Sequence, residues 1–102
     1  MKAIVLAGSK GIGKGITDEL SGICNEVVST SSKDLDTSNI DQVKEFVSNQ
    51  KQTDILVLNT GGPPAKDFFK ISEDEWFKYY NQLFYSFVYI LQHLKINDGG
   101  YI

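Results

Sequence analysis

The sequence predicts an α/β fold with a doubly wound parallel sheet, and three observations indicate it. Continuous apolar runs lie at residues 3–6 and 55–58, as expected of strands that are buried on both faces of a parallel sheet. Segments with apolar residues at helical spacing alternate with these runs. Glycine-rich or polar stretches separate the segments, without an internal repeat or a linker. This alternation favours a single domain over residues 1–102, near the lower end of the usual domain size.

The first half of the chain is predicted to form two strands, one helix and a loop. A strand over Ala3–Leu6 leads into a helix from residue 11 to about residue 20, and a second short strand covers Glu26–Thr30. The following segment, residues 31–38, is polar and therefore loop-like, and Leu35 within it marks a brief third strand.

The middle of the chain is predicted to contain a helix followed by a buried strand. Ser38 with Asp41 resembles a helix start, and the apolar residues that follow keep helical spacing to Val47. Asp54–Asn59 holds a fully buried strand, and the Gly-Gly-Pro-Pro stretch that follows Thr60 breaks it.

The last helix is long and rich in aromatic residues. Ser72 and Glu75 make a capping box, and the helix is expected to run to about Lys95 with a core-facing stripe over Phe84–Leu91. Gly99-Gly100 ends the segment, and the last two residues begin another strand. Either the border of the core or a subunit interface explains the aromatic residues on a second face. These are Tyr79, Tyr85 and Tyr89.

Composition excludes several classes of function. The net charge is −3, and the ten basic residues are all lysines without a basic block, so nothing supports a nucleic-acid partner. No apolar run is long enough for a membrane span, and no secretory signal precedes the first strand. The single cysteine, Cys24, cannot form an internal disulfide and is expected to be a buried structural thiol in a cytoplasmic protein. We expect no metal ligands.

A glycine-rich loop joins the first strand to the first helix. Gly8 permits a tight turn, Gly11 lets a pyrophosphate approach the backbone, and Gly13 lets the helix pack close to the strand. The N–H groups at the helix start then face the phosphates of a dinucleotide. A plain strand–helix turn is the simpler alternative. A P-loop is disfavoured, because Gly15 follows Lys14 where that motif needs a hydroxyl residue for magnesium.

Three separated motifs together resemble the short-chain dehydrogenase/reductase family. They are the loop Gly8–Gly13, Asp36 in Leu-Asp-Thr-Ser, and the segment Asn59–Gly62 after the Ile-Leu-Val-Leu strand. The Asn-Thr-Gly-Gly-Pro form of the last motif is similar to that of 3-oxoacyl-carrier-protein reductase-like members. The resemblance covers the whole chain but only the N-terminal part of a family member. It implies an incomplete Rossmann-like domain with strand order 3-2-1-4 and a stub of a fifth strand.

The resemblance also implies a site for a nicotinamide dinucleotide. In the family, the glycine loop holds the pyrophosphate and the adenosine side, the aspartate meets the adenine, and the asparagine segment lines the nicotinamide ribose. Carried over to this sequence, the residues are Gly8, Ser9, Lys10, Gly11, Ile12 and Gly13 for the loop, Asp36 for the adenine, and Asn59, Thr60, Gly61 and Gly62 for the ribose.

The end of the second strand favours NADP(H) over NAD(H). An acidic residue there would bond the 2′-hydroxyl and repel a 2′-phosphate, but Thr30 is followed by Ser31, Ser32 and Lys33. By resemblance, Lys10 lies where members that prefer the phosphorylated cofactor carry a basic residue. The alternative is that both lysines are ordinary surface charges.

The catalytic residues of the family have no counterpart here. The family uses a Tyr-x-x-x-Lys pair, in which the tyrosine donates a proton, and this spacing does not occur in the 102 residues. The place of the family's helical asparagine falls on Leu83, and the nearby Asn81 points to another side of the helix. His93, near the end of that helix, fits a C-terminal capping cation better than a replacement acid.

The chain is therefore expected to be the NADP(H)-binding half of an oxidoreductase and to be inactive alone, so its status as an enzyme stays open. It would associate with itself or with a complementary C-terminal half to cover exposed apolar surface. The alternatives are a non-enzymatic interaction or oligomerisation module, one piece of a split reductase, or a chain that binds neither cofactor without the missing half.

Overall fold

The computed structural model describes residues 1–61 and 66–102. In these two ranges four strands alternate with helices, and the last helix is a continuous rod in three parts with a π-helical middle. In chain order the elements are β1 (Lys2–Val5), α1 (Gly11–Ser21), β2 (Glu26–Ser29), α2 (Ile40–Gln50), β3 (Gln52–Val57), a 3₁₀ turn (Phe68–Lys70), α3 (Glu73–Tyr80), the π segment (Asn81–Tyr85), α4 (Ser86–His93) and β4 (Lys95–Tyr101). None of the helices in the described ranges combines the length and apolar character that crossing a membrane requires.

The sheet is parallel throughout, with strand order β2-β1-β3-β4. The central strand β1 pairs Ala3 with Val27 on one side and with Ile55 on the other. The chain therefore changes direction of winding between β1 and β3, which is the switch point where open α/β sheets place their ligands. The expected doubly wound parallel sheet is confirmed.

The expected third strand at Leu35 is wrong. Leu35 is buried, but its amide and that of Asp34 both donate to the carbonyl of Ser31 in a tight turn. The side chain of Leu35 anchors the loop against the core, while its amide bonds within the turn and not to a neighbouring strand. The order 3-2-1-4 thus loses its strand 3, and β3 and β4 correspond to the fourth strand and the stub of the fifth.

The hydrophobic core lies mainly on one face of the sheet, against α2 and α4. Alternation along β1 directs Ile4 into this core, while the equally buried Ala3 and Val5 point to the opposite face, where α1 lies against β1 and β2. The core residues are Ile4, Leu6, Leu35, Val43, Val47, Leu56, Ile90 and Leu94.

Two helix starts show how short polar side chains set the boundaries. The capping box is confirmed: Ser72 Oγ accepts from the amide of Glu75, and the Glu75 carboxylate accepts from the amide of Ser72. The second helix begins one residue later than expected, because Asn39 Oδ1 accepts from the amides of residues 41 and 42 while Ser38 bonds to Asp36 instead.

The core-facing stripe expected over Phe84–Leu91 is correct at Phe87, which packs against the core, and wrong at its two ends. Phe84 is 57% exposed and Leu91 is 45% exposed, whereas Ser86 and Ile90 are fully buried and Tyr89 packs against the core. The π segment is the reason, because its wider turn shifts the helical phase and a 3.6-residue pattern cannot be extended across it.

The final strand differs from expectation as well. Gly99-Gly100 lies inside β4 rather than ending the segment before it. Lys95 and Ile96 pair with the start of β3, Tyr101 pairs with Ile55, and the residues between them bulge out of the ladder. Elsewhere, Cys24 is a free thiol that is half-buried rather than fully buried.

Asp54 gives the sheet a pH-dependent link. Its carboxylate accepts from the Lys2 amide at 2.7 Å and from Asn97 Nδ2 at 3.0 Å, so it joins β3 to both neighbouring strands. The Lys2 hydrogen bond first and the Asn97 bond second lower the pKa of Asp54 below its usual value. The ionised carboxylate therefore stabilises the folded chain above about pH 4, and this stabilisation is lost as the pH falls further.

We expect Asp54→Asn to lower the unfolding free energy at pH 7 and to flatten its decline below about pH 4. Urea denaturation at pH 7 and pH 3 measures both effects. Asp98→Asn, which changes an exposed carboxylate on the neighbouring strand β4, is the matched control and should keep the wild-type profile. Parallel profiles for wild type and Asp54→Asn would contradict the assignment.

Candidate functional site at the carboxyl edge of the sheet

The loop after β1 is held by the ends of the two neighbouring strands. Ala7 has a φ of 52°, in the left-handed region that side chains rarely adopt. Its amide donates to Thr30 Oγ1 at 3.2 Å, and its carbonyl accepts from Asn59 Nδ2 at 3.4 Å. The amide of Gly8 donates to the Thr30 carbonyl at 2.9 Å. Thr30 after β2 and Asn59 after β3 thus fix the unusual backbone of the loop.

Two glycines of this loop are required by close packing. A Cβ added at Gly13 would lie 2.0 Å from the Ala7 carbonyl oxygen and 2.9 Å from Asn59 Nδ2. A Cβ at Gly8 would lie 2.4 Å from Ser29 Oγ and 2.5 Å from Thr17 Oγ1. These absent side chains let α1 begin directly against the loop and the end of the sheet.

Gly11 serves the loop in a different way. Its φ is 56°, and apart from its chain neighbours and the backbone of its own helix no described atom lies within 4 Å of the position its Cβ would take, so conformation rather than crowding selects glycine. Lys10 occupies the N-cap position of α1 without a capping bond from its side chain. The first amides of a helix lack intrahelical partners, so the start of α1 offers hydrogen-bond donors to an anion.

Two adjoining clefts open along the carboxyl ends of β1, β2 and β3. The first has a volume of about 480 Å³ and the second about 550 Å³. Residues from all three strand ends form the wall that the clefts share: Ala7, Ser31, Ser32, Asn59, Thr60 and Gly61. The second cleft adds Ser9, Lys10, Gly11, Ile12 and Lys33. The first adds Thr30, Leu35, Asp36, Thr37, Lys78, Tyr79 and Gln82.

The structure therefore brings most of the sequence-predicted site residues together. Gly8 and Gly13 do not line either cleft in the described part of the chain and instead shape the loop behind them. Gly62, also predicted, lies outside the described residues. Asn81 lines neither cleft, whereas its neighbour Gln82 lines the first.

The cleft residues that the sequence did not predict are Ala7, residues of the loop after β2, and residues of α3 and the π segment. Ala7 comes directly after β1, and nothing in the sequence indicates that its backbone is left-handed. Lys78 and Tyr79 of α3 and Gln82 of the π segment reach the first cleft through tertiary packing. No sequence pattern marks them.

The second cleft is positively charged. Lys10 and Lys33 line it, and its described lining residues include no carboxylate. The nearest acidic residue in sequence, Asp34, turns back so that its Oδ2 accepts from the amide and the hydroxyl of Ser31, each at 3.0 Å. Asp34 is not among the described residues that line the two clefts, and its carboxylate accepts the hydrogen bond of the Ser31 hydroxyl.

Asp36 lines the first cleft on a loop that is held by local hydrogen bonds. Its Oδ1 accepts from the amide of Ser38 at 2.9 Å and from the hydroxyl of Ser38 at 2.6 Å, while its own amide donates to Gln42 Oε1 at 2.9 Å. The buried hydroxyl of Ser86 donates to the carbonyl of the next residue, Thr37. The exposed carboxylate of Asp36 is thus presented to the cleft on a loop fixed from both sides.

His93 lies away from both clefts. Its ring stacks on Tyr89 with centroids 4.1 Å apart, and its Nδ1 lies 2.9 Å from the Tyr89 carbonyl oxygen. Within the described ranges, no group of three or more histidine, cysteine, aspartate or glutamate residues is placed to hold a metal ion.

Comparison with known proteins yields structural matches alone. The sequence matches no protein-family model and no curated protein. Among solved structures, a small-chain dehydrogenase superposes with a TM-score of 0.80 at 22% identity, covering 98% of this chain and 56% of that chain. A small-chain dehydrogenase in complex with NADPH superposes with a TM-score of 0.79 at 22% identity, covering 98% and 48%.

The chain spans about half the length of these solved structures. At 22% identity, the superposition shows a shared fold. With its parallel sheet, its glycine loop at the switch point and this superposition, the chain has the short-chain dehydrogenase fold over the part that it covers.

Proposed function

We propose that this chain binds a nicotinamide dinucleotide, NADP(H) in preference to NAD(H), as the cofactor-binding part of a 3-oxoacyl-carrier-protein reductase-like enzyme. The observation that carries the proposal is the second cleft, where the start of α1, the left-handed Gly11 and two lysines meet at the switch point of the sheet. The Asn59-Thr60-Gly61-Gly62 sequence is the reason for naming this reductase type.

The clefts fit a long ligand with charge at its centre. The pyrophosphate would lie at the start of α1, where Gly11 leaves the approach to the backbone open. The adenosine would extend along Ser32 and Lys33 towards Asp36, and the nicotinamide ribose along Asn59, Thr60 and Gly61. One of the superposed dehydrogenases is in complex with NADPH, which supports a nicotinamide dinucleotide as the ligand.

The charge of the second cleft supports the phosphorylated cofactor. A 2′-phosphate adds about two negative charges at neutral pH, which Lys10 and Lys33 would partly neutralise. A site for the 2′-hydroxyl of NAD(H) needs an acceptor, for which a carboxylate is typical. The Asp34 carboxylate already accepts two hydrogen bonds from Ser31, so the second cleft favours an anionic 2′-phosphate over a 2′-hydroxyl.

The chain on its own is proposed to bind the cofactor without turning over a ketone. A bound reduced nicotinamide supplies a hydride, but reduction of a carbonyl also needs a proton donor. The family's Tyr-x-x-x-Lys pair does not occur in these 102 residues. Residues that bind the substrate or donate the proton would have to come from another polypeptide segment. The cytoplasm remains our proposed compartment.

We expect Lys10→Ala to weaken NADPH binding about tenfold while leaving NADH binding unchanged, because it removes a charge-assisted bond to the 2′-phosphate. Titration by nicotinamide fluorescence measures both affinities. Lys14→Ala is the matched control, since Lys14 lies one turn further along α1 and pairs with Asp18 at 2.9 Å. Equal losses for NADPH and NADH would contradict the proposed preference, and no binding of either would refute the function.

A second role, self-association, is favoured by the exposed surface of the long helix. Large apolar side chains on this rod and on the adjoining 3₁₀ turn remain more than 40% exposed: Phe68, Phe69, Trp76, Phe77, Tyr80, Leu83, Phe84, Tyr85 and Leu91. Contiguous exposed aromatic residues mark association surfaces.

Charge complementarity favours a second copy of this chain as the occupant of that surface. The helix starts with Glu73 and Asp74, whereas Glu75 already pairs with Lys66 at 2.6 Å, and Lys95 follows its end. If two copies pair with their long helices antiparallel, the acidic start of each lies opposite the basic end of the other. A separate C-terminal half that covers the same surface is the competing outcome.

A further inference from the structure

Gln82 joins the long helix to the loop after β3. Its Nε2 donates to Thr60 Oγ1 at 3.2 Å and to the Gly61 carbonyl oxygen at 2.5 Å. The side chain is half-buried, and all three residues line the first cleft. A single amide thus holds two consecutive residues of the wall that the two clefts share.

A second polar side chain on the same helix holds the opposite wall of that cleft. Ser86, four residues after Gln82, is fully buried and donates to the carbonyl of Thr37. Thr37 follows Asp36 in the loop after β2, and both line the first cleft. Gln82 and Ser86 therefore contact the two sides of one cleft from a single helical element.

The π segment explains how these two side chains reach their partners. It covers Asn81–Tyr85 and ends where Ser86 begins the next helix. A π-helical turn is less favourable than an α-helical one and is found frequently at functional sites. Here the wide turn coincides with Gln82, which suggests that its cost is offset by the bonds to Thr60 and Gly61.

We propose that Gln82 is a positioning residue for the dinucleotide. It fixes Thr60 and Gly61, and so determines the affinity for the part of the ligand that lies on this wall, the nicotinamide with its ribose. The adenosine end lies on the other residues of the site and does not depend on Gln82. This inference rests on the proposed function, because it assigns the ligand of the clefts.

The test uses the full chain, two ligands and two variants. NADPH reports the whole site, and 2′,5′-ADP, which carries only the adenosine end with its 2′-phosphate, reports the other half. Gln82→Met keeps the length of the side chain and removes its hydrogen bonds. Gln92→Met makes the same substitution at an exposed position of the same helix that lines neither cleft in the described residues.

We expect Gln82→Met to bind NADPH about tenfold more weakly and 2′,5′-ADP with unchanged affinity, while Gln92→Met matches the wild type for both. Hydrogen exchange of the amides at residues 59–61 should also accelerate in Gln82→Met alone. Retained 2′,5′-ADP binding shows that the variant is folded, so that a loss of NADPH affinity is local.

The outcomes separate the inference from the function on which it rests. If the wild type binds neither ligand, the proposed function fails. If the wild type binds both and Gln82→Met binds both equally well, the function stands and Gln82 has no positioning role. If Gln82→Met weakens both ligands by the same factor, Gln82 supports the fold in general, and the positioning role is likewise overturned.

Discussion

Replacing Gly13 with alanine is expected to lower the unfolding free energy of this chain by about 3 kcal/mol. The new methyl group would lie 2.0 Å from the Ala7 carbonyl oxygen, a distance that real Cβ atoms do not reach. The obstacle is backbone, and Ala7 cannot move away easily because Thr30 and Asn59 hold it on both sides. Relief would require α1 to separate from the sheet.

The same change should abolish dinucleotide binding even where the variant remains folded. A displaced α1 would carry Lys10 and Gly11 away from the shared wall of the clefts. Urea denaturation followed by circular dichroism gives the stability, and NADPH titration at a temperature where the variant is folded gives the affinity.

Gly15→Ala provides the matched control within the same helix. Apart from its chain neighbours and the backbone of its own helix, no described atom lies within 4 Å of the position its Cβ would take, and its φ is not left-handed. Alanine there should raise the unfolding free energy by about 0.5–1 kcal/mol, because glycine loses more backbone entropy in a helix. If Gly13→Ala were as stable as Gly15→Ala, the close approach of α1 to Ala7 would be disproved.

Phe84→Glu is expected to weaken self-association at least about 100-fold. Phe84 is 57% exposed near the middle of the long helix, and its ring lies 5.5 Å from that of Tyr80. In an antiparallel pair of helices the midpoints face each other, so the variant would bring two carboxylates together in a dry contact. Like charges placed together at an interface cost several kcal/mol.

Sedimentation velocity over a range of micromolar concentrations measures the effect. Ser48→Glu adds the same charge at an exposed position of α2 and should associate like the wild type. A wild-type chain that stays monomeric throughout this range would contradict the dimer. If it then bound a separately supplied C-terminal half, the surface would belong to a split reductase instead.

Features set by local chemistry could be predicted from the sequence. The capping box at Ser72 and Glu75 depends on two side chains three residues apart, and it formed as expected. The glycine loop between β1 and α1 depends on strand–loop–helix order, and it lies at the switch point as expected. The strand ends then had to meet at one edge of the sheet, which brought Ser32 and Asn59 to the same clefts.

Features set by competition between elements could not be predicted. Leu35 is as apolar as a strand residue, but local bonds to Ser31 decide its backbone. The buried face of the last helix depends on the π segment, which shifts the helical phase and leaves Phe84 exposed. No residue pattern in the sequence predicts this segment. Gln82 lies within it, so its place in the first cleft could not be predicted either.

The position of β1 in the middle of the sheet has a consequence for the order of folding. β1 is first in the chain, yet its two neighbours lie at residues 26–29 and 52–57. The left-handed Ala7 depends on Thr30 from one neighbour and on Asn59 beyond the other, so an isolated βα fragment lacks the groups that hold it. The proposed ligand site would therefore form only after β2 and β3 have paired with β1, on the timescale of non-local strand pairing and not on the faster timescale of helix formation.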